Sequence, residues 1–459
     1  MDSSQFMGKQ SIGRLLWMFS LPAIVGMVVN ALYNIVARIF VGRGVGSLGL
    51  AATAVALPIM TIIMALSILV GVGATALISI RLGEQKKAEA EVAAGNAMLL
   101  LILLPVFFSG IFFIFSESIL TALGSSAAVY PYARDYVTII MFAAPIISFS
   151  MGANNFIRAE GNPRMAMYTQ IIGAIINIIL NYVFIFIFGW GIKGSALATL
   201  IAQSVAALWV LSYFLSGRSL IKIYLRNLKP QLPIISSIMA IGFAPSAMQF
   251  ATSVQQVILN KALMHYGGDL ALSAIGIMMS IGMLLFMPIL GINQGAQPLI
   301  GFNYGAKQYS RVIEAWKKAV LVASCIAITG FIVIRLFSVP LAGLFSQGDT
   351  ALTNLTSHAM LIYFTAFPIV GFQVIGATYF QSVGKPVQAA ILSLSRQVLL
   401  FIPLLLILPD YWGIEGIWRT APIADCLAVM LTAAFVFNEL KKLKAKSAEA
   451  LSAKIPEEG

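Results

Sequence analysis

Polar and charged side chains set inside long apolar runs are where this sequence can do chemistry. Arg396 and Asp425 are the deepest charged pair. Arg396 falls about six residues into the apolar run 390–408, and Asp425 about nine into the antiparallel run 416–438. At roughly 1.5 Å per residue their depths differ by less than about 10 Å, so they are able to pair, directly or through water. Charge in hydrocarbon is costly and by default marks function. The pair reads either as a structural salt bridge or as a protonatable carrier, Asp425, which Arg396 keeps ionised between proton events. A second set is uncharged: Tyr33, Asn34, Asn154, Asn177, Asn181, Thr199 and Gln203. Asn177 and Asn181 are four apart and share one helix face. An unpartnered polar group in hydrocarbon costs several kcal/mol, so these side chains must face protein or a wet cavity. They serve either as interhelical glue, typically under about 1–2 kcal/mol per contact, or as a pocket. Amide and hydroxyl oxygens are also ligands for sodium, though weak ones without a carboxylate.

The elements that position these residues are membrane helices. The 459 residues are 59% hydrophobic and 10% charged, with a mean hydropathy of +0.92. No soluble domain has that balance. Apolar runs of roughly 20 residues recur, each long enough to cross about 30 Å of hydrocarbon as a helix. The runs are continuous, which excludes a barrel of short alternating strands. Twelve spans are predicted, at 14–37, 50–80, 93–115, 134–157, 167–188, 194–215, 234–264, 270–302, 319–337, 359–383, 390–408 and 416–438. The first closes on Leu32–Gly46, LYNIVARIFVGRGVG, where Tyr33 and Asn34 interrupt a lipid-soluble helix. The run carries no trusted cleavage site and is read as a retained helix, not a signal peptide.

The net charge of +12 suggests a nucleic-acid partner, but its distribution argues against one. Of the 29 Lys and Arg, 21 lie in the N-terminus, 81–92, 158–166, 216–233, 303–318, 384–389 and the tail, Arg218 and Lys454 among them. This is the positive-inside pattern and places both termini in the cytoplasm. Arg38 and Arg419 are expected to snorkel near the outer helix ends, and Arg134 and Asp135 to form a solvated interfacial pair. Cys325 and Cys426 read as buried small residues, with no disulfide or metal framework. His265 and His358 are too far apart in sequence to argue a metal site. A membrane-embedded enzyme would need clustered His, Asp or Glu at the membrane face, and no such cluster occurs. No GxxxxGK[ST] occurs either, so nothing in the chain points to ATP as the driver.

The chain is also a repeat. GATALISIRLG, Gly73–Gly83, matches GAQPLIGFNYG, Gly295–Gly305. RAEGNP from Arg158 matches QSVGKP from Gln381, WGIKG from Trp190 matches WGIEG from Trp412, and Pro22 matches Pro245. All four pairs are offset by 222 or 223 residues. The bland meaning of each motif is a tight turn or an interface belt; their common offset shows the duplication. Each half holds an even number of spans, so the halves share one orientation and are related by an axis along the membrane normal. The fold class is therefore an all-α polytopic membrane protein of two six-helix lobes. The lobes are 1–215 and 234–438, joined by the basic linker 216–233 and followed by the charged tail 439–459. Two like-oriented lobes around a central cleft is an alternating-access plan.

LYNIVARIFVGRGVG, LVGVGATALISIRLG, FIRAEGNP, INQGAQPLIGFNYGAK, FQSVGKP and SRQVLLFIPLLLILP together resemble the multidrug and toxic compound extrusion (MATE) transporters. The resemblance runs from Leu16 to about Leu440, and QGAQPLIGFNYGAK is its most specific stretch. It implies a twelve-helix, V-shaped, secondary active exporter of organic cations and drugs, working as a monomer in a bacterial inner membrane in exchange for protons or sodium ions, with no cofactor. Relatives in the wider superfamily flip lipid-linked sugars, which is the alternative reading. Asn154 and Thr199 match polar positions of the family's N-lobe pocket. The departures are Ala37, where the family usually has Asp, and Asn181-Tyr182, where it commonly has Asp-Pro. The seventh helix carries Gln255 and Gln256 where some members use Glu, and the tenth carries Tyr379 and Gln381 but no carboxylate. Ala cannot take a proton or ligate sodium. The cavity is expected to be aromatic and Met-rich: Tyr33, Phe286, Tyr379, Phe380, Met278, Met279, Met283 and Met287 are candidates. Aromatic faces bind organic cations and methionines adapt to varied ligands; each is otherwise core or lipid-facing packing.

Overall fold

The computed structural model describes residues 7–217, 219–346 and 349–452. Arg218 and Lys454 lie outside the described residues, as does the end of the charged tail. Among the described residues every regular element is a helix. Those of the first repeat are α1 (Ile12–Gly44), α2 (Ser47–Gly83), α3 (Lys87–Ala122), α4 (Tyr130–Ala159), α5 (Pro163–Tyr182, prolonged by a π turn at Val183–Ile187) and α6 (Gly191–Leu215). Then come α7 (Leu232–Gly305), α8 (Tyr309–Gly343), α9 (Thr350–Tyr363) and α10 (Phe367–Ser382). Last are α11 (Pro386–Leu394), which continues through a π turn at Ser395–Phe401 into α12 (Ile402–Trp412), and α13 (Ile414–Ser452).

Ten of the described helices, taking α11–α12 as one, are long and apolar enough to cross a membrane. The 74 residues of α7 would reach about 110 Å if straight, far more than one bilayer. The helix breaks at Gly268, with φ 61 and ψ −159, a conformation that a Cβ would strain. It therefore supplies two spans. The pair α9 and α10 is bent by 52° across a short break and supplies one more. The described residues thus hold the twelve spans expected. The protein is a multi-pass membrane protein.

The duplication extends to the backbone. Gly161 and its match Gly384 both have positive φ (102 and 71). Two non-glycine residues do the same at the repeat offset: Gln85 (φ 62) and Lys307 (φ 57). Such residues are uncommon, so a matched pair of them is a structural signature that residue identities do not carry.

The chain forms two compact units, Met1–Met7 with Val25–Ser246, and Gly8–Ile24 with Ala247–Gly459. Their boundaries fall inside α1 and α7, just beyond Pro22 and Pro245, not in the linker. Proline removes a helix hydrogen bond and crowds the preceding turn, so each helix is locally loosened close to where it changes unit. Unit one packs small residues at close quarters, with Ala52, Ala56, Ala133, Ala143, Ala144 and Ala196 in one buried cluster with Phe112, Ile140 and Met141. Small side chains let helix backbones approach in lipid. Gly73 of α2 lies against the backbone carbonyl of Ile238, and Gly242 against that of Leu69. Unit two repeats this: Gly295 lies against the backbone of Ser20, and Gly291 against Ile24.

The linker belongs to unit one. Glu160 Oε2 accepts from Ser219 Oγ (2.7 Å) and from the backbone N–H groups of Leu220 (2.9 Å) and Ile221 (3.2 Å). Glu91 accepts from Lys222 N at 3.1 Å. Asn96 accepts from Gln231 N at 2.7 Å and donates to the carbonyls of Asn227 and Lys229. Burial of Glu160 raises its carboxyl above the usual 4.5, against opposing hydrogen bonds from Tyr213, Ser219, Ile221 and Leu220. The stability this shift represents is present in full below the unfolded value and is lost as pH rises through the folded one. The thermal midpoint of the detergent-solubilised protein is therefore expected to fall as pH rises from about 4.5 through the raised value. Glu160→Gln, which keeps an acceptor oxygen, should flatten that part of the profile; a profile identical to wild type would exclude Glu160 as its source.

Candidate functional site

In unit one the amides form a short chain between α5 and α6. Asn181 Nδ2 donates to both the carbonyl and Oδ1 of Asn177, each at 2.9 Å. Asn177 Nδ2 donates to Thr199 Oγ1 at 3.3 Å, and Thr199 donates to the carbonyl of Ser195 at 3.1 Å. Gln203 follows one turn on and is half-buried. Asn181 stands at the entry to the π turn Val183–Ile187, a feature frequent at functional sites. Among the described residues, its Oδ1 and that of buried Asn154 on α4 find no hydrogen-bond partner. Two orphaned acceptors are what a bound cation or water would satisfy. Asn34 is instead bonded within its own helix, to the carbonyl (2.8 Å) and Oδ1 (3.1 Å) of Asn30. Tyr33 and Arg38 lie within electrostatic reach of Tyr136 on α4. Ala37, on the same helix, is half-buried and brings no titratable group.

In unit two, Arg396 Nε donates to Asp425 Oδ1 at 2.5 Å. The Asp425 side chain keeps 8% of its accessible surface and that of Arg396 keeps 26%. Arg396 sits in the π turn Ser395–Phe401, and Asp425 lies three residues past Pro422 of α13. Tyr363, the last residue of α9 before the 52° break, is in electrostatic reach of both charges. The pair is thus ringed by three irregularities: a π turn, a proline and a broken span. Gln397 donates to Thr252 Oγ1 at 3.4 Å. Gln255 keeps a buried Oε1 without a partner among the described residues. Gln256 donates to Asn260 at 2.8 Å, and these two line a cavity of about 290 Å³ with Leu272, Ile275, Gly276 and Met279.

Other expected residues lie elsewhere. Tyr379 and Phe380 are packed in the interior of unit two. The Tyr379 hydroxyl donates to Glu439 Oε1 at 3.3 Å, and Lys385 Nζ reaches the same oxygen at 2.5 Å. Phe380 stacks edge-on against Tyr379 and Phe435. Met278 is buried, Met283 exposed, and Met287 and Phe286 half-buried. Asp135 pairs with Lys193 at 3.3 Å, not with Arg134, because successive helix residues do not face each other. Arg419 lies over the Trp412 ring, 5.0 Å from its centroid. Cys325 and Cys426 are exposed, not buried: on helices whose outer faces meet lipid, a small apolar thiol suits the outside as well as the core. Among the described residues no three His, Cys, Asp or Glu side chains cluster as metal ligands would.

Sequence reasoning missed the acceptors that hold the linker and the Lys385–Glu439 pair. For the pair, the available signal was Glu439 just past the last predicted span and just before Lys441 and Lys442.

The MatE family model matches residues 22–183 and again 245–407. The chain belongs to the MatE family. The two matches begin 223 residues apart (22 and 245), the offset of the matched motifs. As a MatE protein the chain is similar over nearly its whole length to Multidrug export protein MepA of Staphylococcus aureus (strain MRSA252), at 25% identity across 96% of this chain and 97% of the relative. MepA of Staphylococcus saprophyticus is equally similar, with the same coverage. Among solved structures, a MATE transporter in complex with MaL6 superposes with a TM-score of 0.91 at 25% identity, over 97% of this MatE chain and 100% of the other. A MOP superfamily transporter from Pyrococcus furiosus, whose reversed binding-pocket polarity suggests a different function, superposes with a TM-score of 0.90 at 26% identity, over 97% and 99%. MatE members are transporters, and the similarity to multidrug exporters supports drug efflux.

Proposed function

We propose that this chain is a secondary active exporter of amphipathic organic cations and drugs, exchanged for protons or sodium ions, with Asp425 as the carrier of the coupling charge. The observation that carries this reading is the Arg396–Asp425 pair, a charged couple deep in helices that otherwise lack charge at that level. Ionised Asp425 holds Arg396. A proton on Asp425 ends that attraction and leaves a guanidinium without its counter-charge, which is costly in a dry site. Proton binding therefore biases the π turn of Arg396 and the break beside Tyr363 between two arrangements, and two arrangements are what alternating access requires. The orphaned oxygens of Asn154 and Asn181 supply a neutral pocket in unit one, suited to a weakly held sodium ion or the polar part of a substrate. Positive-inside charge supports cytoplasmic termini, and the reading takes the protein as a monomer in an inner membrane.

The test uses purified protein in liposomes loaded with a fluorescent organic cation, with pH and sodium gradients imposed separately. The sequence as it stands is expected to respond to at least one gradient, and Ala37→Asp to change the size of the response. If only Ala37→Asp responds, the carrier belongs on α1 and the Asp425 reading fails. Flipping of lipid-linked saccharides, which the sequence resemblance to the wider superfamily offers, is the second reading. A labelled lipid-linked saccharide in the same liposomes separates the two.

A further inference from the structure

A second cavity in unit two, of about 390 Å³, lies apart from the Arg396–Asp425 pair and is lined by Ile258, Lys261, Ala262, His265, Tyr266, Leu405, Leu406 and Pro409. It opens between α7, just before the Gly268 break, and α12. Lys261 and His265 are four apart on α7 and share one face. Lys261 stands seven residues before Gly268, about 10 Å along the helix, at the level where a span meets the headgroup region. Among the described residues no carboxylate lies within ion-pair distance of it. Asp410, next to the lining Pro409, accepts a hydrogen bond from the Tyr266 hydroxyl at 2.7 Å. The remaining wall is aliphatic, and Leu406 keeps 59% of its surface. An exposed cation beside an exposed aliphatic wall is complementary to an anionic amphiphile. It is the opposite of what an organic cation needs, so the cavity is not a place for the exported substrate.

We propose that this cavity binds the phosphate headgroup of an anionic membrane phospholipid, with Lys261 Nζ and the His265 ring on the phosphate and the first methylenes of an acyl chain along Leu405, Leu406 and Ile258. Such a lipid holds α7 against α12 on the side of the Gly268 break. The lipid supplies the counter-charge that Lys261 lacks, and its acyl methylenes pack on the exposed Leu406.

The experiment is native mass spectrometry of the full-length protein released from micelles containing equal phosphatidylglycerol and phosphatidylcholine. Wild type is expected to retain phosphatidylglycerol preferentially. One Lys near an anionic surface contributes about 1 kcal/mol, so Lys261→Gln should lower that retention about fivefold. Lys261→Arg should keep it, which separates loss of charge from loss of fold. Leu406→Asn should weaken retention of both lipids. Equal retention by wild type and Lys261→Gln, with both melting at the same temperature, overturns the proposal. Displacement of phosphatidylglycerol by soluble glycerol phosphate also overturns it, since the site would then recognise a free phosphate and not a lipid.

Discussion

Asp425→Asn is expected to reduce coupled efflux to the level of protein-free liposomes while leaving the protein folded. The substitution removes the charge but keeps an oxygen facing Arg396 Nε, now 2.5 Å from Asp425 Oδ1. Deleting one partner of a buried ion pair outright typically costs about 3–5 kcal/mol because the other charge is stranded. Retaining an acceptor recovers part of that, since a hydrogen bond to a charged group contributes about 1.5–3 kcal/mol. The protein should therefore melt at a lower temperature than wild type yet elute as a single species. What Asn cannot do is gain and lose a proton. Efflux by a monodisperse Asp425→Asn protein at the wild-type rate would remove Asp425 from the coupling step. Arg396→Gln is expected to be the more damaging to stability, because it leaves a carboxylate with little surface and no cation.

Gly242→Leu is expected to have the largest effect on folding. A Cβ at Gly242 would run into the carbonyl of Leu69, and one at Gly73 into the carbonyl of Ile238. The obstructing atoms are backbone, so no rotamer change relieves either clash. Overpacking of a well-packed core typically costs about 1–3 kcal/mol, and more where backbone must move. Gly242→Leu should lower the yield of monodisperse protein sharply, and Gly73→Ala more mildly. Both glycines serve the same crossing of α2 on α7, so parting the helices for one relieves the other. The double variant Gly73→Ala/Gly242→Ala is then expected to cost less than the two single changes added. Gly110 is the control: its Cβ would meet nothing within 4 Å, and Gly110→Ala should be neutral or stabilising by up to about 1 kcal/mol. A loss at Gly110 equal to that at Gly242 would show that helix propensity, not close approach, decides.

The spans were legible because hydrocarbon imposes one rule over 20 residues at a time, and apolar length alone reads it. The repeat was legible because Gly, Pro and Trp at turns are held by geometry. Arg396 and Asp425 could be paired in advance because a charge in a span has few places to go. The matched left-handed Gln85 and Lys307 could not, since neither residue type asks for positive φ; their neighbours impose it. Nor could the bonding of the linker, because Glu160, Glu91 and Asn96 act on backbone N–H groups, which leave no trace in residue identity. Tyr379 was legible as aromatic, but whether a ring faces a cavity or Glu439 depends on how its helix is rotated, and an apolar helix without a polar face does not declare its rotation.

The segment Gly8–Ile24 packs in unit two, where Gly295 and Gly291 receive it. The arm of α7 before Ser246 packs in unit one, where Gly73 does the same. Each half of the chain therefore gives its opening half-helix to the other half's core. A six-span protein built on one repeat would leave its own glycine groove empty and carry an apolar half-helix with nowhere to go. A second copy solves both problems by reciprocal exchange, which is a domain-swapped homodimer. The duplicated chain has the arrangement of that dimer made covalent: the exchange runs within a single polypeptide.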